Sequence, residues 1–429
     1  MKILLVHNSY QHHGGEDVVF NNEKNLLSAA GHHVSTYTRN NEEINGYGWM
    51  KQVSLAPRTV WAWDSLKEMR RRIADERPDI THFHNTFPLI STSAYLACHE
   101  ARVPVVQTLH NSRLICPAAT LSRGGKVCED CSDKRIPWPA VLHGCYRHSH
   151  LQSGVVAAML TVHRQLKTWE RFVDQYVVST ELFARKFAAA GLPANRISIK
   201  PNFVDQNYQI AQCPRDYALF VGRLVPEKGV NTLLDAWGLI RGLPLKIRGD
   251  GPLLHHVQSH AGERDSGIEW LKRPTQDGLI GIFQGARFLV WPSEAFYENF
   301  GLVAIEAFAC GVPVIASNVG VMAETIRDGH TGLHFASESP TDLAAKVEWA
   351  WSHPNEMMAM GREARREYEE KYTPERNYEM LMNIYKSAMS VRGWEASKSD
   401  FKDRSLDYIV GEISAEDERP SPKWDLLNH

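Results

Sequence analysis

The sequence predicts an α/β protein built from two doubly wound, Rossmann-like domains that face each other across a cleft. Three observations carry that expectation. Short apolar runs alternate with amphipathic stretches, the pattern of a parallel sheet with helices on both faces. The pattern fades after residue 200 and restarts at residue 217, so there are two such series. The 429 residues exceed one ordinary core and suit two domains of roughly 150–200 residues each.

In the first series, 2–7 reads as a strand closed by a polar, Gly-containing turn. Residues 17–30 read as a helix with Val18, Val19, Leu26 and Leu27 on one face and Gly31 near its C-cap. Strands follow at 33–38, 80–84, 104–110, 176–179 and 197–200, with a helix over 65–76 that stops before Pro78. The second series has strands at 217–221, 245–248, 268–271, 288–291 and 314–316. Between the two lies a polar, aperiodic linker, 202–214. The expected domains are therefore 1–205 and 215–372. Residues 354–389 are helical in pattern, and 393–429 form a charged tail expected to be disordered. Ligands of open α/β sheets bind at the carboxyl ends of strands, so the crevice between the domains is the expected site.

Hydrophobic residues make up 43% of the chain and charged residues 23%, and the formal net charge is -2. Nothing global draws it to nucleic acid, and an anion site must be built locally. The N-terminal apolar run is too short for a signal peptide and no stretch reaches the roughly 18 apolar residues of a membrane span. The expected location is the cytoplasm. Peripheral docking on the inner face of a membrane needs no spanning segment and stays open.

The strongest motif is Glu298-Asn299-Phe300-Gly301-Leu302-Val303-Ala304-Ile305-Glu306, between a Trp291-Pro292-Ser293 strand end and Cys310-Gly311. Residues 302–309 should form a helix. The backbone N–H groups of Asn299, Phe300, Gly301 and Leu302 then crowd its N-terminus, a natural seat for a diphosphate. Gly301 has no side chain to obstruct the approach. Glu306 can accept hydrogen bonds from vicinal hydroxyls of a ribose, and Glu298 from those of a sugar. The second motif is Gly222-Arg223-Leu224-Val225-Pro226-Glu227-Lys228-Gly229. Arg grips two oxygens at once and Lys acts as a point charge, so the pair suits the negative charge that develops on a departing phosphate.

Together with Gly14-Gly15 after the first strand, His110 at a strand end, and Gly249-Asp250-Gly251-Pro252, these residues resemble the retaining glycosyltransferases of the GT-B architecture, family 4 (glycosyl transferases group 1), which use an E-x7-E motif. The resemblance covers roughly residues 1–389. It implies that Arg223 and Lys228 hold the donor diphosphate and that Glu306 binds the ribose. Glu298 then contacts the transferred sugar, Gly15 lets the backbone approach phosphate or sugar, and His110 lies near the anomeric carbon. It implies a nucleotide-sugar donor, a glycan or lipid-linked acceptor on the N-terminal domain, retention of configuration, and no catalytic metal. It also implies that the helix over 373–392 crosses back onto the first domain. Two other classes compete: a nucleotide-sugar epimerase on the same fold, and a non-catalytic nucleotide-sugar-binding scaffold.

Two features stand apart. Cys116, Cys128, Cys131 and Cys145 cluster in an aperiodic insertion, 114–148, with a C-x2-C pair at its centre. A structural zinc held by four thiolates is the preferred reading. Free thiols, an iron–sulfur cluster or a redox dithiol are the alternatives. Arg70-Arg71-Arg72 reads either as contact with anionic lipid or, preferably, as a solvated helix face shared with Glu68, Asp75 and Glu76.

Overall fold

The computed structural model describes residues 1–11, 14–46, 49–204, 208–210, 215–240, 242–264, 266–272, 276–294 and 298–391. The first series contains β1 (Lys2–Ser9), β2 (His33–Asn40), β3 (Ile80–Phe83), β4 (Val105–Thr108), β5 (Ser122–Arg123), β6 (Lys126–Val127), β7 (Gln175–Val178) and β8 (Ile197–Ile199). Six of these form a parallel sheet in the order β2-β1-β3-β4-β7-β8, while β5 and β6 pair as a short antiparallel hairpin inside the insertion. The second series contains β9 (Tyr217–Val221), β10 (Leu245–Arg248), β11 (Ile268–Leu271), β12 (Ala286–Trp291), β13 (Val314–Ser317) and β14 (Gly332–Phe335). They form a parallel sheet in the order β11-β10-β9-β12-β13-β14. The order of strand addition reverses between β1 and β3 in one sheet and between β9 and β12 in the other. These are the switch points where open α/β sheets receive ligands.

Burial explains why these segments are strands. Ile3, Leu4, Leu5 and Val6 are all fully buried, so both faces of β1 are covered and the run reads as continuously apolar. One face packs into a core that continues into the second domain through Leu289, Trp291, Ile305 and Phe308. The other face of the first sheet, through Ile3, Leu5, Ile80, Val106 and Val177, is covered by Leu381, Ile384, Tyr385 and Ala388. Those last residues belong to the helix Pro374–Val391. The final helical stretch is thus two helices, Pro354–Lys371 and Pro374–Val391, broken where Pro374 cannot continue the first. The second lies on the first domain. Tyr378 Oη meets His32 Nε2 at 2.9 Å, and Tyr385 Oη meets His82 Nδ1 at 2.9 Å.

Some elements differ from the sequence reading. The first helix is Gly15–Ala29, and the 65–76 helix begins at Trp63. Helices at Trp49–Val60, Ser93–Glu100 and His150–Gln165 add to those read, as does β14. The Arg70-Arg71-Arg72 run is an ion-paired face rather than a set of free cations. Arg70 pairs with Glu100 at 2.7 Å, Arg71 with Glu68 and Asp75, and Arg72 with Glu68 and Glu76. The tail over 393–429 and Cys213 lie outside the described residues. No helix among the described residues is long and apolar enough to cross a membrane.

Candidate active site

The rim of the second domain is made by the turns after β9, β10 and β12. Val225 leads through a short turn, Pro226–Lys228, into Gly229, whose φ of +69° starts the helix Val230–Leu239. A Cβ at Gly229 would stand 1.9 Å from the Pro292 carbonyl oxygen, so the Lys228 turn and the strand end at Pro292 touch through bare backbone. That contact puts Lys228 against the Glu298 loop. Its ammonium donates to Glu298 Oε1, which also faces Trp291 Nε1 at 3.4 Å and Ser293 Oγ at 3.3 Å. Glu298 is therefore buried, with three contacts converging on one of its carboxylate oxygens. Arg223 is exposed at the end of β9, five positions before Lys228.

The helix Leu302–Ala309 begins at Gly301. A Cβ there would lie 2.0 Å from the Trp291 ring, so the absence of a side chain is required by indole packing beneath the loop. This is a physical reason different from clearance for an anion. Ala304, Ile305, Ala307 and Phe308 are buried, which leaves Leu302, Val303 and Glu306 on the less buried face. Glu306 hydrogen-bonds with Tyr208. Burial pushes its carboxyl up to about 7, with the Tyr208 bond opposing.

The first domain meets this rim directly. Ser179 Oγ, just past β7, donates to the Asn299 carbonyl at 2.8 Å. Glu324 accepts from the Glu181 and Leu182 amides at 2.6 and 2.8 Å, filling the first turn of the helix Glu181–Ala189 across the domain boundary. Gly15 faces Leu302: a Cβ on it would sit 4.0 Å from Leu302 Cδ1. The turn after β1 and the Gly301 loop are thus separated by little more than one side chain.

His110 follows β4 by two residues. Its Nε2 lies 2.9 Å from His84 Nδ1, within a cluster of four histidines that includes His7 and His82. Burial, followed by neighbouring imidazoles, holds His84 and His110 well below the usual histidine range. Glu23, His82 and His84 bring ligand-type atoms within 4.8 Å of one another. A cation already serves that position: Lys200 Nζ donates to Glu23 Oε1 at 2.7 Å and to Asn377 Oδ1 at 3.0 Å. His82 spends both ring nitrogens, on Tyr385 and Thr108.

Sequence reasoning passed over Glu16. It stands in the first turn of the first helix, half-buried, with Asn85 Nδ2 3.2 Å from one oxygen and Asn111 Nδ2 3.3 Å from the other. Asn85, His110, Asn111 and Arg113 line one cavity at the strand ends. Burial pushes the Glu16 carboxyl up to about 8; Asp17 adds to this, while Asn111, Arg113 and Asn85 oppose it. Its signal was its place immediately after Gly15, in a turn already singled out.

The insertion gathers its cysteines. Cys116, Cys128, Cys131 and Cys145 all line one cavity of about 20 Å³ together with Pro139 and Ala140. Burial pushes the Cys131 thiol up to about 11, and the other three thiols push in the same direction. Arg164, on the helix His150–Gln165, ties the insertion down by donating to the Leu114 carbonyl at 2.9 Å and to the Lys134 carbonyl.

Comparison with known proteins agrees with this two-domain arrangement. Residues 13–208 match the model described as Glycosyltransferase Family 4, and residues 210–367 match Glycosyl transferases group 1. An uncharacterized glycosyltransferase of Methanocaldococcus jannaschii, MJ1178, is 36% identical over 154 residues, 36% of this chain and 43% of that protein. A second from that organism, MJ1607, is 26% identical over 82% of this chain and 87% of its own. The alignments with MJ1178 and with the D-inositol 3-phosphate glycosyltransferase of Streptomyces bingchenggensis (32% identical, 42% of each chain) span less than half of those relatives. Among solved structures, Anabaena HepE in complex with UDP superposes with a TM-score of 0.65 at 16% identity, covering 90% of this chain and all of that one.

The two raised carboxyls have a stability consequence. In the native state Glu16 and Glu306 hold their protons above the ordinary value of 4.5. Their contribution is complete below about 4.5 and is lost as pH rises through about 7 to 8. Thermal melting should therefore fall between pH 5 and pH 8, and Glu16→Gln should flatten that fall. A variant curve parallel to the wild type would contradict the assignment.

Proposed function

This chain belongs to the glycosyltransferases of the GT-B fold, and from that premise we propose that it transfers a sugar from a nucleotide-diphosphate donor to a glycan or lipid-linked acceptor, with retention of configuration. The observation that carries the reading is the Lys228–Glu298 contact, which unites the two motifs of the second domain on one rim at the switch point.

In this reading the diphosphate lies against the Asn299–Leu302 amides, with Arg223 and Lys228 as its counter-charges. Lys228 exchanges Glu298 for phosphate when donor binds. That frees Glu298 to accept from hydroxyls of the transferred sugar. Glu306 accepts from the ribose, one turn further into the helix. Negative charge on the departing phosphate is met by fixed cations and backbone dipoles, so these residues supply the stabilisation that a catalytic metal provides elsewhere. Gly15 and His110 line the opposite wall, with Gly15 beside the donor phosphate or sugar and His110 near the anomeric carbon, and the acceptor enters from this first domain beside Glu16. HepE is described in complex with UDP-glucose, which supports a nucleotide-sugar donor.

Lys228→Ala and Glu298→Ala are each expected to lower donor turnover by about a hundredfold or more, the scale of one lost transition-state contact. The assay is release of nucleoside diphosphate from whichever UDP-, GDP- or ADP-sugar raises the melting temperature. Near-normal turnover in either variant would remove its role.

A structural zinc in the insertion is proposed on the convergence of four cysteines around one cavity. Elemental analysis should find about one zinc per chain, with Cys128→Ser lowering it. Metal-free protein of unchanged melting temperature would refute this.

Contact with an anionic membrane is proposed through the helix His150–Gln165. Leu151 is 80% exposed and Val162 37%, and Leu166 at the helix end is 55% exposed. From Lys134 to Trp169 the chain contains no Asp or Glu, so an apolar stripe lies in a segment with no negative charge to repel the lipid. The full chain should co-sediment with phosphatidylglycerol vesicles but not with phosphatidylcholine vesicles. Joint replacement of Leu151, Val162 and Leu166 by Glu should abolish this, and sedimentation unchanged by that replacement would exclude the surface.

A further inference from the structure

Two buried polar atoms in the first domain lack a hydrogen-bond partner and face each other. They are Glu23 Oε2 and His84 Nε2, 3.5 Å apart, in side chains with no solvent exposure. The other end of the His84 ring, Nδ1, lies 2.9 Å from His110 Nε2. Three groups thus stand in line, running from the interior to the cavity beyond the carboxyl end of β4 that His110 lines.

Only certain proton placements fit. If His84 carried its proton on Nδ1, its Nε2 lone pair would confront the Glu23 carboxylate and both atoms would stay orphaned in the interior. If the proton is on Nε2, His84 turns an N–H toward the Glu23 carboxylate across 3.5 Å and accepts from His110 Nε2–H. Each group in the line then faces one of opposite character. A protonated Glu23 could reverse the order, but Lys200 donates to its other oxygen at 2.7 Å and supplies the charge that favours the carboxylate. The surroundings agree. Around the line stand His7 and Asp17 (themselves paired at 2.8 Å), His82, Lys200 and Tyr385, and both His84 and His110 are held neutral by burial. A metal across Glu23, His82 and His84 would put a second cation beside Lys200 and take one His82 ring nitrogen from its present hydrogen bond.

We propose that Glu23 and His84 are positioning residues: through the chain Glu23–His84–His110 they hold His110 as the Nε2–H tautomer, so that Nδ1 presents a lone pair to a substrate hydroxyl. The target of that lone pair rests on the glycosyl-transfer reading; the tautomer does not. The line is anchored from the far end. Asn377 accepts from Lys200 and donates to the Pro201 carbonyl at 2.6 Å, so the crossing helix fixes the residue that fixes Glu23.

The test is nitrogen-15 NMR of the full chain labelled at histidine, with His110 identified by the signals missing from His110→Ala. In the wild type, His110 should show a protonated Nε2 and a pyridine-type Nδ1. In Glu23→Gln the amide can keep accepting from Lys200 while its NH2 donates to His84 Nε2. That reverses both tautomers and leaves His110 protonated on Nδ1. The same variant should lose at least about tenfold in sugar transfer while keeping its affinity for nucleoside diphosphate, the pattern of a correctly placed but wrongly protonated imidazole. A wild-type His110 protonated on Nδ1 overturns the proposal whether or not the variant folds. So do His84 signals that shift on treatment with EDTA, which reveal a metal in place of the relay. An unchanged His110 tautomer in a folded Glu23→Gln protein overturns it as well. Failure of sugar transfer in the wild type, with the tautomer as stated, counts against the functional reading alone.

Discussion

The groups assigned to phosphate and sugar in this chain stand on the carboxyl ends of strands, and two sets of strand ends are of use only if they face each other. The apolar face of the helix Pro374–Val391 enforces this. It begins three residues after the helix that closes the second domain, yet it buries Leu381, Ile384 and Tyr385 on the first sheet. Burying such side chains is worth roughly 1.5–3 kcal/mol each, enough to tie one domain to the other. The polar bonds of Tyr378, Tyr385 and Asn377 then fix its register. The contacts of Ser179, the Glu181 and Leu182 amides and Gly15 with the second domain follow from that placement.

Within the second domain, backbone closeness decides what the side chains can do. Gly229 against Pro292 and Gly301 against the Trp291 ring compress two distant loops into one rim. That compression makes a cation and a carboxylate partners across 70 positions of sequence. In the proposed reaction Lys228 exchanges this carboxylate for a donor phosphate, and Arg223 and the helix N-terminus offset the charge that the diphosphate adds. The first domain contributes the opposite character: neutral imidazoles, amides and a carboxyl that keeps its proton near neutrality, suited to hydroxyl groups rather than to phosphate.

Much of this was legible in the chain itself. β9 is an unbroken apolar run and β10 and β11 are short segments interrupted by Lys246, Arg248 and Glu269, and all three fall where the sequence predicts strands. The motif around Glu298 and Glu306 was visible because all its parts are local. What escaped notice was assembled over distance. Glu23 and Lys200 are 177 positions apart, and neither looks like a buried ion pair until β8 and the first helix lie together. Glu16 was overshadowed by the glycines before it. The helix His150–Gln165 carries apolar residues on its exposed side as well, so its periodicity is blurred. Arg70-Arg71-Arg72 read as a helix face shared with Glu68, Asp75 and Glu76, and only its partner Glu100, 30 positions away, was out of view.

Donor binding depends on the proposed diphosphate seat of Lys228, Arg223 and the amides around Gly301. The most direct measurement is calorimetric titration of the full chain with UDP, GDP and ADP beside the corresponding nucleosides. At least one nucleoside diphosphate should bind at a single site and lose most of that affinity when its phosphates are removed. Nucleosides binding as tightly as their diphosphates, or no binding by any of the six, would contradict it.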